Sequence, residues 1–367
     1  PSNSVDQLNL MIDKIIVAEN VQAGETWRRR SVFCADDEYS FGNYDEGGSQ
    51  LILVPAERNF RWSERDSCAY YWRNNGGVVG GVVSLVADTL MLRNFMMELY
   101  DNDPYYVSTA RSHAFNVARP ALLAALNAGG MIAHFQGHGN AVVMTHEFWF
   151  QDDRRSGNRR DVDDLTNVGK PWMYFGMGCH LADWAQYTID QSGVPKNSLC
   201  EKFLGWTSAG AFATYGSSGY EYLTPNRQFS DRTFRRWMIK PPSQPVGGGQ
   251  TASRWVLGEL MWAAEADQLA SSPSSFSRGM VSQYTLLGDP LMVLYCGDPV
   301  VEATLDGAPI SGEVDLEAVD ATNQRVVMLQ ARDEAGIAGL QVVDSTGADL
   351  TAEVVTQETV EHALNRQ

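Results

Sequence analysis

Two stretches decide how this chain is read: Met131-Ile-Ala-His-Phe-Gln-Gly-His-Gly-Asn140 and Trp172-Met-Tyr-Phe-Gly-Met-Gly-Cys179. Each is a short, nearly continuous apolar run that ends at a polar residue flanked by glycine. Runs of this length, bounded by turn signals, are typical of strands covered on both faces. A glycine-flanked end lets one side chain project from the sheet while a ligand approaches the backbone closely. The same form recurs in Ser31-Val-Phe-Cys-Ala35, followed by the acidic Asp36-Asp37-Glu38, and in Gly210-Ala-Phe-Ala-Thr-Tyr215. Helical patterns separate these strands. Ser4 caps a run that places Leu8, Met11, Ile12 and Ile15 on one face. A second helix over residues 120–127 stops at Ala128-Gly129-Gly130, a third follows Ser198 to about Trp206, and a fourth spans residues 251–269. Leu291-Met-Val-Leu-Tyr295 is expected to close the domain as a strand. The alternation predicts an α/β fold with a mostly parallel sheet, in which ligands gather at the carboxyl ends of the strands.

Composition narrows the function classes. The chain has 367 residues and a net charge of −17, which argues against a nucleic-acid surface, since phosphate contacts need clustered cations. The charge is unevenly placed: residues 298–367 hold 14 acidic residues against three arginines. No run approaches the length of apolar residues needed to cross a bilayer, so no membrane span is expected. The chain opens Pro-Ser-Asn without a basic-then-apolar leader, so any targeting signal is expected to lie outside it. Composition shifts near residue 297. Beyond it, short Val/Leu/Ile runs alternate with turn pairs at about ten-residue spacing, as in an all-β sandwich. The expected organisation is a catalytic domain over residues 1–297 and a β-sandwich accessory module over 298–367, the latter expected to be truncated. Cys34, Cys68, Cys179, Cys200 and Cys296 form an odd set without zinc-type spacing, so at least one thiol stays unpaired within the chain.

A histidine and a cysteine at neighbouring strand tips suit nucleophilic catalysis. The imidazole of His138 would favour the Cys179 thiolate. The backbone amides of Gly139 and Cys179 would stabilise a tetrahedral oxyanion. A plainer reading of the same residues is a turn histidine and a buried cysteine. His134 and His138 lack the intervening glutamate of a zinc-peptidase helix, and Gly137 breaks helical geometry, so no metal is assigned to them. His134 reads as a core histidine; His113, His146 and His362 read as surface residues. Asp152, Asp153, Asp161, Asp163 and Asp164 crowd one segment. They suit a structural calcium ion, although the interleaved Arg154, Arg155, Arg159 and Arg160 favour a self-neutralising, solvated loop. The pairs Gly76-Gly77 and Gly80-Gly81 match no nucleotide fingerprint, and no cofactor is expected.

His134-Phe-Gln-Gly-His-Gly-Asn140 resembles the histidine motif of the gingipain-type cysteine peptidases, whose fold is a caspase-like α/β/α sandwich. Phe175-Gly-Met-Gly-Cys-His-Leu-Ala-Asp-Trp184 is similar to the family's cysteine motif. Ser198-Leu-Cys-Glu-Lys-Phe203 with Gly210-Ala-Phe-Ala-Thr-Tyr215, Leu286-Leu-Gly-Asp-Pro-Leu291 and the helix containing Asp13-Lys14-Ile15-Ile16 resemble further family segments, in family order. The resemblance implies His138 as general base, Cys179 as nucleophile, and the Gly139 and Cys179 amides as oxyanion hole. It places Ser217, Ser218 and Tyr220 near the substrate's P1 pocket. It also implies an acidic residue that orients the histidine, for which Glu64 or Asp66 could serve. A further α/β subdomain precedes the first helix in the family and is expected to lie outside this chain. The implied function is a bacterial, secreted or cell-surface cysteine endopeptidase acting on proteins or peptides, with an immunoglobulin-like module behind it. Two rivals share the fold: a sortase-like transpeptidase of a secretion system, and a non-catalytic surface-binding protein. His180, directly after Cys179, has no assigned role.

Overall fold

The computed structural model describes residues 4–20, 26–41, 50–74, 85–99, 105–153, 158–184, 197–238, 243–245, 251–253, 256–292, 294, 300–305, 308–309 and 327–332. Its centre is a six-stranded sheet of β1 (Arg30–Ala35), β2 (Val86–Met91), β3 (Ile132–Gln136), β4 (Trp172–Met177), β5 (Ala211–Ser217) and β6 (Tyr284–Leu287), in the spatial order β6-β5-β4-β3-β1-β2. The first five strands run parallel and β6 pairs antiparallel with β5. The architecture is thus mixed α/β with a mostly parallel sheet, as the alternation of apolar runs and helices predicts.

Side chains alternate across this sheet, and both faces are covered, which is why the strands read as continuous apolar runs. On one face Val32, Ala133, Phe135, Trp172 and Tyr174 pack against α3 (Val107–His113, Ala114–Ala118 and Arg119–Asn127) and α4 (Leu199–Gly205). On the other, Phe33, Ile132, Met173, Phe175 and Tyr215 meet α2 (Arg58–Ser63, one π-helical turn Glu64–Cys68, then Ala69–Asn74), α5 (Leu223–Met238) and α6 (Leu257–Ser271). Helix α4 starts with a reciprocal capping box: Ser198 accepts from the Glu201 amide, and Glu201 accepts from the Ser198 amide.

Helix α1 (Val5–Glu19) begins at the Ser4 cap as expected, but turns a different face to the core. Leu8 and Ile12 are exposed, whereas Met11, Lys14, Ile15 and Ala18 face inward. The reason lies in Lys14, whose ammonium donates to the carbonyls of Phe203, Thr207 and Ala209 at 2.9, 3.2 and 2.9 Å. These carbonyls belong to the end of α4 and the loop after it, so Lys14 of α1 caps the C-terminal end of a neighbouring helix.

The closing strand is also shifted. It spans Tyr284–Leu287, ahead of the glycine, and Leu291 and Met292 lie in a turn instead. Gly288 has φ 140°, and the Asp289 side chain accepts from the Leu291 amide at 2.8 Å, so the backbone reverses here. The carbonyls of Pro290 and Met292 then receive the first amides of α6, which starts at Leu257 rather than near residue 251. Further on, Val300–Leu305 pairs antiparallel with Ala308–Pro309 and Val327–Arg332. The rest of the expected accessory module, its boundary at 297/298, Cys296 and His362 lie outside the described residues.

Candidate active site

Strand register places Phe33, His134, Phe175 and Tyr215 in one row across β1, β3, β4 and β5. Ala35, Gln136 and Met177 also lie abreast, so Asp36, Gly137 and Gly178 leave the sheet at the same level. The Gly137 amide donates to the Met177 carbonyl at 3.1 Å. A β-carbon on Gly178 would stand 2.7 Å from the Gly137 carbonyl oxygen, and one on Gly139 would stand 3.3 Å from the Cys179 carbonyl oxygen. The turns carrying His138 and Cys179 are therefore in direct contact, and glycine is what allows that approach.

His138 hangs from a turn fastened underneath: its amide donates to Asp36 Oδ2 at 2.8 Å. Its ring lies edge-on to Phe60, with centroids 5.6 Å apart, and beside His146 at 4.2 Å. Nε2 approaches Glu57 Oε2 to 3.1 Å, off the line of a proper hydrogen bond, so the attraction grows when the imidazole is protonated. The acid beside the candidate base is thus Glu57, at the entry to α2, and neither of the two expected residues. Glu64 is fully buried and pairs with His134 Nδ1 at 2.7 Å, while Asp66 pairs with Arg65 at the surface. His134 is the core histidine its sequence position suggests. His146 is not a surface residue: burial first, then repulsion from His138 and Arg111, push its pKa down to about 3.

Cys179 follows β4 after Gly178 and is partly buried. Burial pushes its thiol pKa up, and the Glu221 amide, donating to the sulfur at 3.3 Å, opposes that shift. The loop after β5 is stitched to this turn by two amides, His180 to the Gly219 carbonyl and Ala182 to the Ser217 carbonyl, each at 2.9 Å. Ser217 is buried and gives its hydroxyl to Glu221 Oε1 at 2.6 Å; Ser218 donates to the Gln283 carbonyl at 3.0 Å. Tyr220 is the exposed member of the three, 74% accessible, with its ring edge-on to His180. His180 has φ 57°, unusual for a residue with a β-carbon, and is held by Asp183 at 2.9 Å. Burial raises the Glu221 carboxyl to about 7, against the hydrogen bond from Ser217.

In the aspartate-rich segment Asp152, Asp153 and Asp161 are buried, whereas Asp163 and Asp164 are exposed, and Arg154 and Arg155 lie outside the described residues. Asp152 faces Lys202, Asp161 is held by Arg119 and Arg159, and Asp164 by Arg119. Sequence reasoning missed Glu57, Glu147 and Glu221 because nothing in their local sequence distinguishes them among 45 acidic residues.

The arrangement offers a thiol, an imidazole on the adjoining turn and a carboxylate behind the imidazole. The model of peptidase family C25 matches residues 1–295. Among solved structures, the Arg-specific cysteine proteinase gingipain R (RgpB) is similar, with a TM-score of 0.56 and 16% identity, over 83% of this chain and 56% of that one. The complex of Porphyromonas gingivalis RgpB pro- and mature domains gives 0.54 and 15%, over 84% and 65%. The chain thus spans less than two thirds of each of these structures. No curated protein sequence matches.

Proposed function

The chain belongs to peptidase family C25, and from that premise we propose that it is a cysteine endopeptidase acting through Cys179 and His138. What carries the reading is the contact between the two glycine-flanked turns, with Glu57 behind the imidazole. With Nε2 turned to Glu57, the Nδ1 lone pair is left to take the thiol proton. The thiolate then adds to the scissile carbonyl, the Gly139 and Cys179 amides stabilise the oxyanion, and His138 returns its proton to the departing amine. Water, deprotonated by His138, hydrolyses the thioester and frees the thiol. Glu57 stabilises the imidazolium in both halves. The chemistry is carried by the protein's own groups and calls for no cofactor. Tyr220, exposed at the loop joined to Cys179, is the residue best placed to meet substrate, while Ser217 and Ser218 shape that loop.

Protein or peptide substrates follow from the family, and a secreted or surface location in a bacterium is proposed on the same ground. No described helix is long and apolar enough to cross a membrane. The test is turnover of a fluorogenic peptide library varied at P1. Wild-type cleavage that vanishes in Cys179→Ala supports the reading; cleavage that persists in the variant excludes it.

A further inference from the structure

Asp36 and Asp37 at the end of β1 meet Glu147, from the turn after the His138 loop, in a cluster that the peptidase chemistry does not use. All three are at most 1% exposed, and one carboxylate oxygen from each lies within 4.8 Å of the others. Two oxygens on opposite sides of a calcium ion bound at about 2.4 Å would be about 4.8 Å apart. The next acidic residue, Glu38, is equally buried but is met by Arg58, Arg61 and Arg93. Glu147 is different. Neither of its carboxylate oxygens accepts a well-formed hydrogen bond among the described residues. The Thr145 hydroxyl, its own amide and Arg111 only partly offset its burial. Arg111 is otherwise engaged, with Nε on the His146 carbonyl and its guanidinium 3.5 Å from the Phe148 ring centroid. The turn that brings Glu147 inward is held with Thr145 at φ 65° and Phe148 at φ 57°.

We propose that Asp36, Asp37 and Glu147 bind one calcium ion beneath the turn that carries His138. Asp36 Oδ1, Asp36 Oδ2 and Asp37 Oδ1 accept the amides of Asp37, His138 and Tyr39, which fixes the two aspartates in place and leaves Glu147 as the side chain without a well-formed hydrogen bond among the described residues. The three carboxylates supply only hard oxygen donors, one or more from each. That suits calcium, whose ligand geometry is loose, better than magnesium, which keeps several waters in a strict octahedron. Burial and mutual repulsion raise the carboxyl pKa values of Asp36 and Glu147 well above the usual range, and a bound dication would remove that penalty. The site bears on the proposed activity without sharing its atoms, because Asp36 Oδ2 also accepts the His138 amide. That functional link rests on the peptidase reading; the metal site does not.

The test uses the whole chain, stripped by a chelator and titrated with calcium chloride by calorimetry and by thermal unfolding. The expected result is one equivalent bound and a calcium-dependent rise in Tm. Glu147→Gln should weaken binding at least about tenfold and flatten the Tm response, since affinity follows ligand charge. Gln matches the size of the neutral carboxyl group that burial favours at this position without metal, so this variant should fold without metal at a Tm close to that of stripped wild type. Asp163→Asn, in the other acidic segment, should bind as wild type does. Cys179→Ala should also bind normally, so loss of the peptidase reading would leave this result intact. The proposal is overturned if wild type shows neither heat nor Tm shift at roughly millimolar calcium, the weak end for such sites. It is equally overturned if Glu147→Gln binds with unchanged affinity, or if Asp163→Asn abolishes binding.

Discussion

A thiol whose pKa burial has raised is a poor nucleophile at neutral pH unless a base takes its proton during attack, and Cys179 is in that position. In the proposed mechanism His138 is that base and supplies a large share of the rate. His138→Ala should lower kcat/KM by about 10²–10⁴-fold with little change in Tm, which steady-state assays and thermal melts would check. Glu57→Gln should lower kcat at least about tenfold and leave KM nearly unchanged, because Glu57 acts on the imidazolium and not on substrate. A KM effect alone would place Glu57 in substrate binding. Both residues proposed to react are legible in sequence because glycine-flanked strand ends are local signals. Glu57 is not, because its partnership with His138 spans 81 positions and only the folded entry to α2 creates it.

Elements matter here through where their ends meet. Register holds Gly137 and Gly178 abreast, and no side chain fits between the turns. Gly178→Ala should push the Gly137 carbonyl away, cost about 1–3 kcal/mol, and lower activity far more than that loss of stability accounts for. Urea melts beside kinetics would separate the two effects. Helix α1 offers a second case. Lys14→Met would take the ammonium from three carbonyls near the end of α4, of which Ala209 keeps the Thr207 hydroxyl, so a loss of about 2–4 kcal/mol is expected in urea melts. An unchanged stability would mean that water replaces the ammonium. Existence and type of most elements can be read from the run of residues, and so can the parallel sheet. The inward face of α1 cannot, since a lysine on the buried side contradicts the apolar pattern unless its carbonyl partners are known. The closing strand departs from expectation for a similar reason: residues 291–295 carry the apolar run, but the reversal at Gly288 and Asp289 places the pairing segment before it.

At the scale of the whole molecule, buried carboxyls set how stability depends on pH. Glu221 has a folded pKa raised to about 7, above its value in the unfolded state. The folded state then holds more protons, so this stabilisation is complete below about pH 4.5 and is lost as pH rises through 7. Its size is on the order of 3 kcal/mol before screening by solvent. Asp36 and Glu147 act in the same direction in metal-free protein, and Lys14, at about 7, adds no slope below that pH. Chelated protein should thus lose stability between pH 5 and about 7, and Glu221→Gln should lose less. Superimposable urea midpoints for the two across that range would contradict this. None of these groups is legible in sequence, because desolvation belongs to the assembled fold.

The most direct test of the central claim is the rate at which iodoacetamide alkylates Cys179 near neutral pH, followed by peptide mass spectrometry in wild type and His138→Ala. Cys34, Cys68 and Cys200 are buried and serve as internal references within the same digest. Cys179 should react much faster than these three, and at least about tenfold more slowly once His138 is removed. Equal Cys179 rates in the two proteins would contradict this, because the imidazole would then have no hold on the thiol.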